Sequence, residues 1–188
     1  MNSKYLGVIG GGQLGMFTCI AAKKRGLKTL VFSDSKEFSA KRFCDEYITG
    51  DFNDFKKVNL FSKKAAFFTI ETENIPLKTL KLIENKKKIY PMSNIVRICQ
   101  NRFQEKKFIN SIKDIKTTDF FELNNFEDFE DKAESLGFRC ILKSKELGYD
   151  GKGQHQINKE NLKEFKDIHF NDYILERFVD FEKEISVI

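Results

Sequence analysis

Apolar and polar residues follow two different patterns along this chain. In the first part, short apolar runs at residues 5–9 and 28–32 have the length and composition of buried strands. Between them, Leu14, Phe17 and Ala21 recur with helical spacing. These residues therefore predict a strand–helix–strand unit of a parallel sheet. Further strands are expected at residues 46–49 and 66–70, and further helices around 54–62 and 77–83.

The pattern changes after Pro91. Helical spacing is found over residues 101–111 and again at Phe126, Phe129 and Ala133. Short apolar runs predict strands at residues 120–121, 139–143, 155–157, 173–175 and 185–188, and a helix around 162–165. We therefore predict two domains: an α/β layer over residues 1–95 and an α+β domain over residues 96–188.

The composition, with 40% hydrophobic and 32% charged residues, is that of a globular protein. The net charge of +5 comes from scattered lysines, and the densest basic run, at residues 86–88, is short and lacks aromatic neighbours. A solvated helix end is the favoured reading of that run, rather than a nucleic-acid surface. The chain also lacks an apolar stretch of membrane-spanning length and the apolar region of a signal peptide. We expect a cytoplasmic protein that binds neither nucleic acid nor membrane.

The cysteines and histidines suggest no metal site. The four cysteines are widely separated and form no C-x-x-C pair, which is typical of reduced thiols. Cys19 and Cys140 have apolar neighbours, so we expect them in the core. His155 and His169 lack metal-ligand spacing. No metal ligand is therefore assigned within the chain.

A glycine turn joins the first predicted strand to the first helix. Gly10, Gly12 and Gly15 satisfy G-x-G-x-x-G in the required position, and the helix N-terminus that follows offers free N–H groups to a phosphate. Asp34, at the end of the second strand, lies where a dinucleotide fold places its ribose-binding acid. The same turn also binds phosphorylated ligands that are not dinucleotides, and Asp34 would equally suit a polar turn. Both readings stay open.

A second glycine-rich loop, Gly-Tyr-Asp-Gly-Lys-Gly-Gln at residues 148–154, lies between two predicted strands. Its glycines let backbone N–H groups approach an anion, and Lys152 adds positive charge. Lys143 ends the strand before the loop. These features favour a loop that covers nucleotide phosphates, and the alternative is a hairpin with a glycine-rich turn.

Two further polar segments follow predicted strands. Glu71 and Glu73 lie at the carboxyl end of a buried strand, where ligands bind in open α/β sheets, although they would also suit the cap of the next helix. Residues 176–179, together with Glu184, could present hydrogen-bonding groups to an adenine and its ribose. The alternative for this second segment is a set of surface carboxylates beside a strand.

Taken in order, these segments resemble one family. The runs GGGQLG (10–15), ETENIP (71–76), QNRFQEK (100–106), GYDGKGQ (148–154) and ILERFVDFEKEIS (174–186) resemble 5-(carboxyamino)imidazole ribonucleotide synthase, an ATP-grasp enzyme of purine biosynthesis. The resemblance covers nearly the whole chain but only about the first half of such an enzyme. It implies a Rossmann-like pre-ATP-grasp domain followed by the first part of an ATP-grasp domain.

The resemblance also implies roles for individual residues. Lys143 and Lys152 would be catalytic. The ATP-binding residues would be Arg102, Lys143, Gly148, Tyr149, Asp150, Gly151, Lys152, Gly153, Gln154, Glu176, Arg177, Phe178, Val179 and Glu184. The residues that bind 5-aminoimidazole ribonucleotide would be Gly12, Gln13, Leu14, Glu73, Tyr149, Asp150 and Lys152, with the substrate phosphate at the first glycine turn.

The implied reaction transfers the γ-phosphoryl group of ATP to bicarbonate, and the substrate amine attacks the resulting carboxyphosphate or the carbon dioxide released from it. The lysines and Mg²⁺ would neutralise phosphate charge, and the magnesium ligands of this family are expected beyond residue 188. Complete enzymes of this kind are expected to be homodimers. The chain ends in an apolar run, so we expect it to be truncated and to lack appreciable synthase activity by itself.

One departure and two alternative functions remain. Met16-Phe17 stands where many relatives have a basic residue, which weakens the assignment of a phosphate to the glycine turn. Another ATP-grasp purine ligase, such as the formate-dependent glycinamide ribonucleotide transformylase, would share similar loops. An NAD(P)-binding oxidoreductase would use Gly10–Gly15 and Asp34 but would leave the 148–154 loop unexplained.

Overall fold

The computed structural model describes residues 5–148 and 153–187. They form two compact units that divide after Arg97. The predicted boundary between the domains, between residues 95 and 96, stays a prediction.

The first unit is a five-stranded parallel sheet with the strand order β3-β2-β1-β4-β5. Its strands are β1 (Tyr5–Ile9), β2 (Lys28–Ser33), β3 (Glu46–Thr49), β4 (Ala65–Ile70) and β5 (Lys88–Tyr90). Its helices are α1 (Gln13–Lys24), α2 (Phe55–Lys64) and α3 (Leu77–Glu84), and α4 (Ser93–Gln100) follows the last strand.

The two central strands explain why the sheet forms. Val8 on β1 and Leu30, Val31 and Phe32 on β2 are at most 1% exposed, as expected for strands covered on both faces. The ring of Phe32 packs edge-on against Phe61 of α2, with centroids 5.4 Å apart. The predicted parallel α/β layer is confirmed.

The second unit contains a four-stranded antiparallel sheet with the order β6-β9-β7-β8. Its elements are α5 (Arg102–Ser111), β6 (Phe120–Glu122), α6 (Phe126–Ser135), β7 (Cys140–Ser144), β8 (Gln154–Ile157) and β9 (Tyr173–Arg177). Phe129 of α6 packs with Leu142 and Leu175 in the core of this unit. The α+β character predicted for this part of the chain is confirmed.

Helix α6 begins with a fully formed cap. The Asn125 side chain accepts a hydrogen bond from the Asp128 N–H at 2.8 Å, and Asp128 in turn accepts from the Asn124 N–H at 2.9 Å. Lys132, one turn later, lies 2.6 Å from the Asp128 carboxylate. Burial raises the pKa of Asp128, but the hydrogen bonds from Lys132 and Asn124 outweigh it and hold that pKa below its usual value.

Several elements differ from the predictions. Lys86 and Lys87 are exposed and donate to the Ile83 carbonyl at the end of α3, as expected of a solvated helix end, but Lys88 already begins strand β5. Helix α4 was not predicted. Leu162–Phe165 is a short 3₁₀ turn rather than a helix. Residues 185–187 do not form the expected strand; Ile185 and Val187 are 80% and 88% exposed.

Two predictions that concern composition can also be examined. Cys19 and Cys140 are fully buried, as predicted, and none of the four cysteines is in a disulfide. Within residues 5–148 and 153–187, no helix has the length and apolar character needed to cross a bilayer.

Candidate functional site

The first unit has a crevice at the carboxyl ends of its strands. The strand order reverses between β1 and β4, and ligands bind at such switch points in open α/β sheets. The crevice has a volume of about 450 Å³. It is lined by Gly10, Gly11, Gly12, Ser33, Asp34, Ser35, Glu37, Phe38, Ser39, Phe52, Glu71, Thr72 and Asn74. The topology thus brings the glycine turn, Asp34 and the 71–74 segment to one place.

The N–H groups of the glycine turn already have a partner. Gly12 donates to Oε1 of Glu71 at 2.7 Å, and Gly15 donates to Oε2 at 2.9 Å. Glu71 follows β4, and its own N–H donates to the Ile9 carbonyl at 3.0 Å. An internal carboxylate therefore lies at the point where the sequence predicts a substrate phosphate.

The other predicted substrate residues of this unit are exposed. Gln13 and Leu14 begin α1, and 64% of Leu14 is exposed. Glu73 is exposed two residues after Glu71, and its carbonyl accepts a hydrogen bond from the Ile75 N–H at 2.8 Å. These residues lie near the crevice rim, and their roles in substrate binding stay predictions.

In the second unit, a buried carboxylate lies between two lysines. Glu176 of β9 is only 3% exposed, because it lies opposite Phe120 of β6 and Ile141 of β7. Its Oε2 accepts a hydrogen bond from Nζ of Lys143 at 2.9 Å. Nζ of Lys106 lies 3.3 Å from Oε1. Among the described residues, Oε1 accepts no hydrogen bond of good geometry.

Lys106 was missed as a site residue. The sequence spacing could have indicated it, because Lys106 lies four residues after Arg102 and therefore on the same face of α5. Its side chain is 15% exposed, and its ammonium lies 5.6 Å from the centre of the Phe120 ring. What the sequence did not indicate was the partner, Glu176, which only sheet pairing brings into reach.

Arg102 binds the backbone at the entrance to the second glycine-rich loop. Its Nη1 donates to the Ser144 carbonyl at 2.7 Å, and its Nη2 donates to the Gly148 carbonyl. The Arg102 N–H also donates to the Lys145 carbonyl at 2.9 Å. The guanidinium therefore holds the chain where it leaves β7, and its contact with ATP stays a prediction.

The far side of the same loop is also anchored. Gly153 has φ +67°, and its carbonyl accepts a hydrogen bond from the Ser144 N–H at 2.9 Å. A Cβ at Gly153 would lie 2.6 Å from Oγ of Ser144, so both conformation and space require glycine. Gln154 begins β8 opposite Lys143. The predicted site residues Tyr149, Asp150, Gly151 and Lys152 lie outside the described residues.

The remaining predicted nucleotide residues follow Glu176 along the chain. Arg177 forms an ion pair with Asp119 at 2.9 Å. The Phe178 N–H donates to the Arg139 carbonyl at 2.9 Å, and Val179 is 49% exposed beyond the end of β9. Glu184 is exposed in a segment without regular structure. The structure thus brings Lys143 and Glu176 together but does not bring Glu184 to them.

Residues 5–148 and 153–187 contain no group of three His, Cys, Asp or Glu side chains arranged to hold an ion. Burial raises the pKa of the Cys140 thiol to about 11, so the thiol is protonated near neutral pH.

Comparison with family models divides the chain in the same order. Residues 3–100 match the ribonucleotide synthetase preATP-grasp domain, and residues 109–188 match the ATP-grasp domain. The first match includes the crevice of the first unit. The second includes Lys143, Glu176 and the loop between β7 and β8.

Several characterised proteins are similar over most of this chain. It is 34% identical, over 97% of its length, to the bifunctional purine synthesis protein purC/E of Dictyostelium discoideum, of which it covers 19%. It is also 34% identical to the N5-carboxyaminoimidazole ribonucleotide synthase of Staphylococcus aureus strain COL, covering 97% of this chain and 49% of that protein. The chain therefore spans about half the length of the synthases it matches.

Solved structures agree with this similarity. The N5-carboxyaminoimidazole synthetase of S. aureus complexed with ADP superposes with a TM-score of 0.88 and 31% identity, over 97% of this chain and 50% of that one. The synthase of Aspergillus clavatus in complex with ADP and 5-aminoimidazole ribonucleotide gives a TM-score of 0.79 and 26% identity, over 96% and 48% of the two chains.

Proposed function

Because this chain belongs to the ribonucleotide synthetase preATP-grasp domain family and continues into an ATP-grasp domain, we propose that it is the nucleotide-binding part of a 5-(carboxyamino)imidazole ribonucleotide synthase. The proposed reaction is the ATP-dependent carboxylation of 5-aminoimidazole ribonucleotide with bicarbonate, in purine biosynthesis. This proposal is supported by the synthases that match nearly all of this chain. One of them has been solved in complex with ADP and 5-aminoimidazole ribonucleotide.

The observation that carries the ATP-binding proposal is the Lys143–Glu176–Lys106 cluster beside the glycine-rich loop. Two ammonium groups face one carboxylate, so the cluster keeps a net positive charge for the phosphates of a nucleotide. The second carboxylate oxygen, Oε1, is buried and lies 3.3 Å from the Lys106 ammonium. These groups suit a nucleotide triphosphate and supply no nucleophile.

In this proposal the chain's own residues position the reactants. Lys143 neutralises negative charge on the transferred phosphoryl group, and Arg102 keeps the loop entrance fixed through its two backbone contacts. The ribonucleotide is proposed to lie across Gly12–Leu14 with its amine towards Glu73. Lys152, with Tyr149 and Asp150, is proposed to contact both substrates, a role that rests on the resemblance alone.

Mg²⁺, a homodimer and a cytoplasmic location are also proposed on the resemblance alone. Mg²⁺ would neutralise phosphate charge, but the described residues offer it no ligand cluster, so no residue of this chain is assigned to it. Sedimentation of the protein tests the homodimer, and the dependence of its activity on added metal tests Mg²⁺. Absence of catalytic turnover by the 188 residues alone stays a prediction, tested by ribonucleotide-dependent ADP release.

The ATP proposal can be tested by displacement of a fluorescent ATP analogue from the 188-residue chain. ATP and ADP should displace it, and NADH should not. Lys143→Met should weaken ATP binding at least about tenfold, the effect of losing one charge-assisted contact. Lys163→Met removes an exposed lysine of the same unit and should leave binding unchanged.

Two outcomes would redirect the proposal. Tight NADH binding that is lost in Asp34→Ala would favour an oxidoreductase. ATP binding combined with preference for glycinamide ribonucleotide over 5-aminoimidazole ribonucleotide, measured by the same displacement, would favour a different ATP-grasp purine ligase.

A further inference from the structure

The Glu71 carboxylate occupies the anion-binding position of the first glycine turn. It accepts the N–H groups of Gly12 and Gly15, which are the free donors at the start of α1, at 2.7 and 2.9 Å. Helix α1 has no acidic residue in its first turn, and Gly12 caps it without a side chain. Glu71 therefore supplies from β4 the negative charge that stabilises this helix end.

The glycines of the turn make room for this carboxylate. A Cβ at Gly10 would lie 2.3 Å from Cγ of Glu71, and one at Gly12 would lie 2.7 Å from its Oε1. A Cβ at Gly15 would meet the Gly10 carbonyl oxygen at 2.8 Å. The G-x-G-x-x-G pattern is thus accounted for by an internal side chain and by close backbone packing, without an external phosphate.

The crevice beside the turn is negatively charged. Asp34, Glu37 and Glu71 line it, together with the hydroxyl groups of serines and a threonine and the amide of Asn74. Lys41 pairs with Glu37 at 2.7 Å, but the lining residues that the structure describes include no lysine or arginine. Such a surface repels an anion and suits hydroxyl and amino groups.

We propose that Glu71 is a positioning residue that fills the glycine turn and denies its N–H groups to external phosphate. If the proposed function holds, the phosphate of the ribonucleotide therefore lies away from the turn. This assignment replaces the phosphate position expected from the sequence. On this proposal a dinucleotide, whose pyrophosphate needs this turn, would not bind there.

The test follows the amide resonances of Gly12 and Gly15 in the ¹⁵N-labelled 188-residue chain during titration with inorganic phosphate or acetate at constant ionic strength. In the unaltered chain neither anion should move these resonances at millimolar concentration. In Glu71→Ala both amides should shift, phosphate should bind at least tenfold more tightly than to the unaltered chain, and acetate should return the resonances towards their original positions.

Two variants separate hydrogen bonding from net charge. Asp34→Ala removes one negative charge from the same crevice and should leave the turn closed to phosphate. Glu71→Gln keeps the shape, but it replaces one of the two accepting oxygens by an NH2 group that cannot accept, so one resonance should shift more than the other.

The proposal is overturned if phosphate shifts the Gly12 and Gly15 amides of the unaltered chain, a measurement that needs no variant to fold. It is also overturned if Glu71→Ala folds with both resonances unchanged. Neither readout involves ATP or the ribonucleotide, so failure here is distinct from failure of the proposed function.

Discussion

Replacing Glu176 by glutamine should destabilise the second unit more than its single change of charge suggests. The carboxylate is 3% exposed and faces Lys143 at 2.9 Å and Lys106 at 3.3 Å. Each attraction is worth about 5–6 kcal/mol at an effective dielectric constant of roughly 20, before the cost of desolvating the charges. The isosteric amide leaves no cavity, so the measured loss reports the charge cluster itself.

The net loss expected for Glu176→Gln is about 3 kcal/mol, the lower end of the range for removing one partner of a buried ion pair. The lower end applies because the side chains of Lys106 and Lys143 are still 15% and 20% exposed, so both ammonium groups keep part of their hydration. Lys106→Met should cost only about 1 kcal/mol, since it leaves Glu176 and Lys143 as a balanced pair.

Urea unfolding followed by far-UV circular dichroism measures these losses, because the chain contains no tryptophan. Hydrogen exchange of the β7 and β9 amides assigns the loss to this unit. Glu122→Gln is the matched control: Glu122 pairs with Lys145 at 2.9 Å on the same sheet but is 49% exposed, so it should cost less than about 1 kcal/mol. If Glu176→Gln lowers the free energy of unfolding by no more than Glu122→Gln does, the charge cluster does not stabilise this unit as proposed.

Three further predictions concern single contacts. Gly12→Ala fits the backbone φ of −72°, but its Cβ would meet the Glu71 side chain, so it should lower the free energy of unfolding in urea by about 1–3 kcal/mol. Combined with Glu71→Ala, the same substitution should cost almost nothing, and equal losses in both backgrounds would contradict the contact. Asp128→Asn should cost about 0.5–1 kcal/mol at pH 7. The pKa of Asp128 in the folded chain lies below the ordinary 3.8. The stability difference between the two proteins should therefore persist above about pH 4 and vanish as the pH falls through the folded pKa. A stability difference that does not change with pH would contradict this prediction. With a thiol reagent at pH 8, exposed Cys99 should react in the native chain, whereas Cys140 should react only after unfolding. Cys99→Ser should remove the fast phase of labelling. Rapid labelling of Cys140 in the native chain would contradict its burial.

Local patterns along the chain were enough to predict the order and type of most elements. Val8, Leu30 and Phe32 lie in apolar runs that suit only buried strands, and the helical spacing between the runs fixes a parallel arrangement. The same local reasoning placed Lys143 at the end of a strand before a glycine-rich loop. It missed strand β5, because an edge strand of three residues is too short to show a periodicity.

The contacts of the charged residues, in contrast, depend on the three-dimensional arrangement of the strands. Glu71 looked like a helix cap or a ligand residue, but parallel pairing of β1 with β4 brings it back to a turn 59 residues earlier in the chain. The adenine contact expected of Glu176 stays a prediction, whereas the pairing of β9 with β6 and β7 buries its side chain beside Lys143 and Lys106. Periodicity reports how a residue relates to its near neighbours, whereas the partner of a buried charge depends on strand order and register, which distant segments set together.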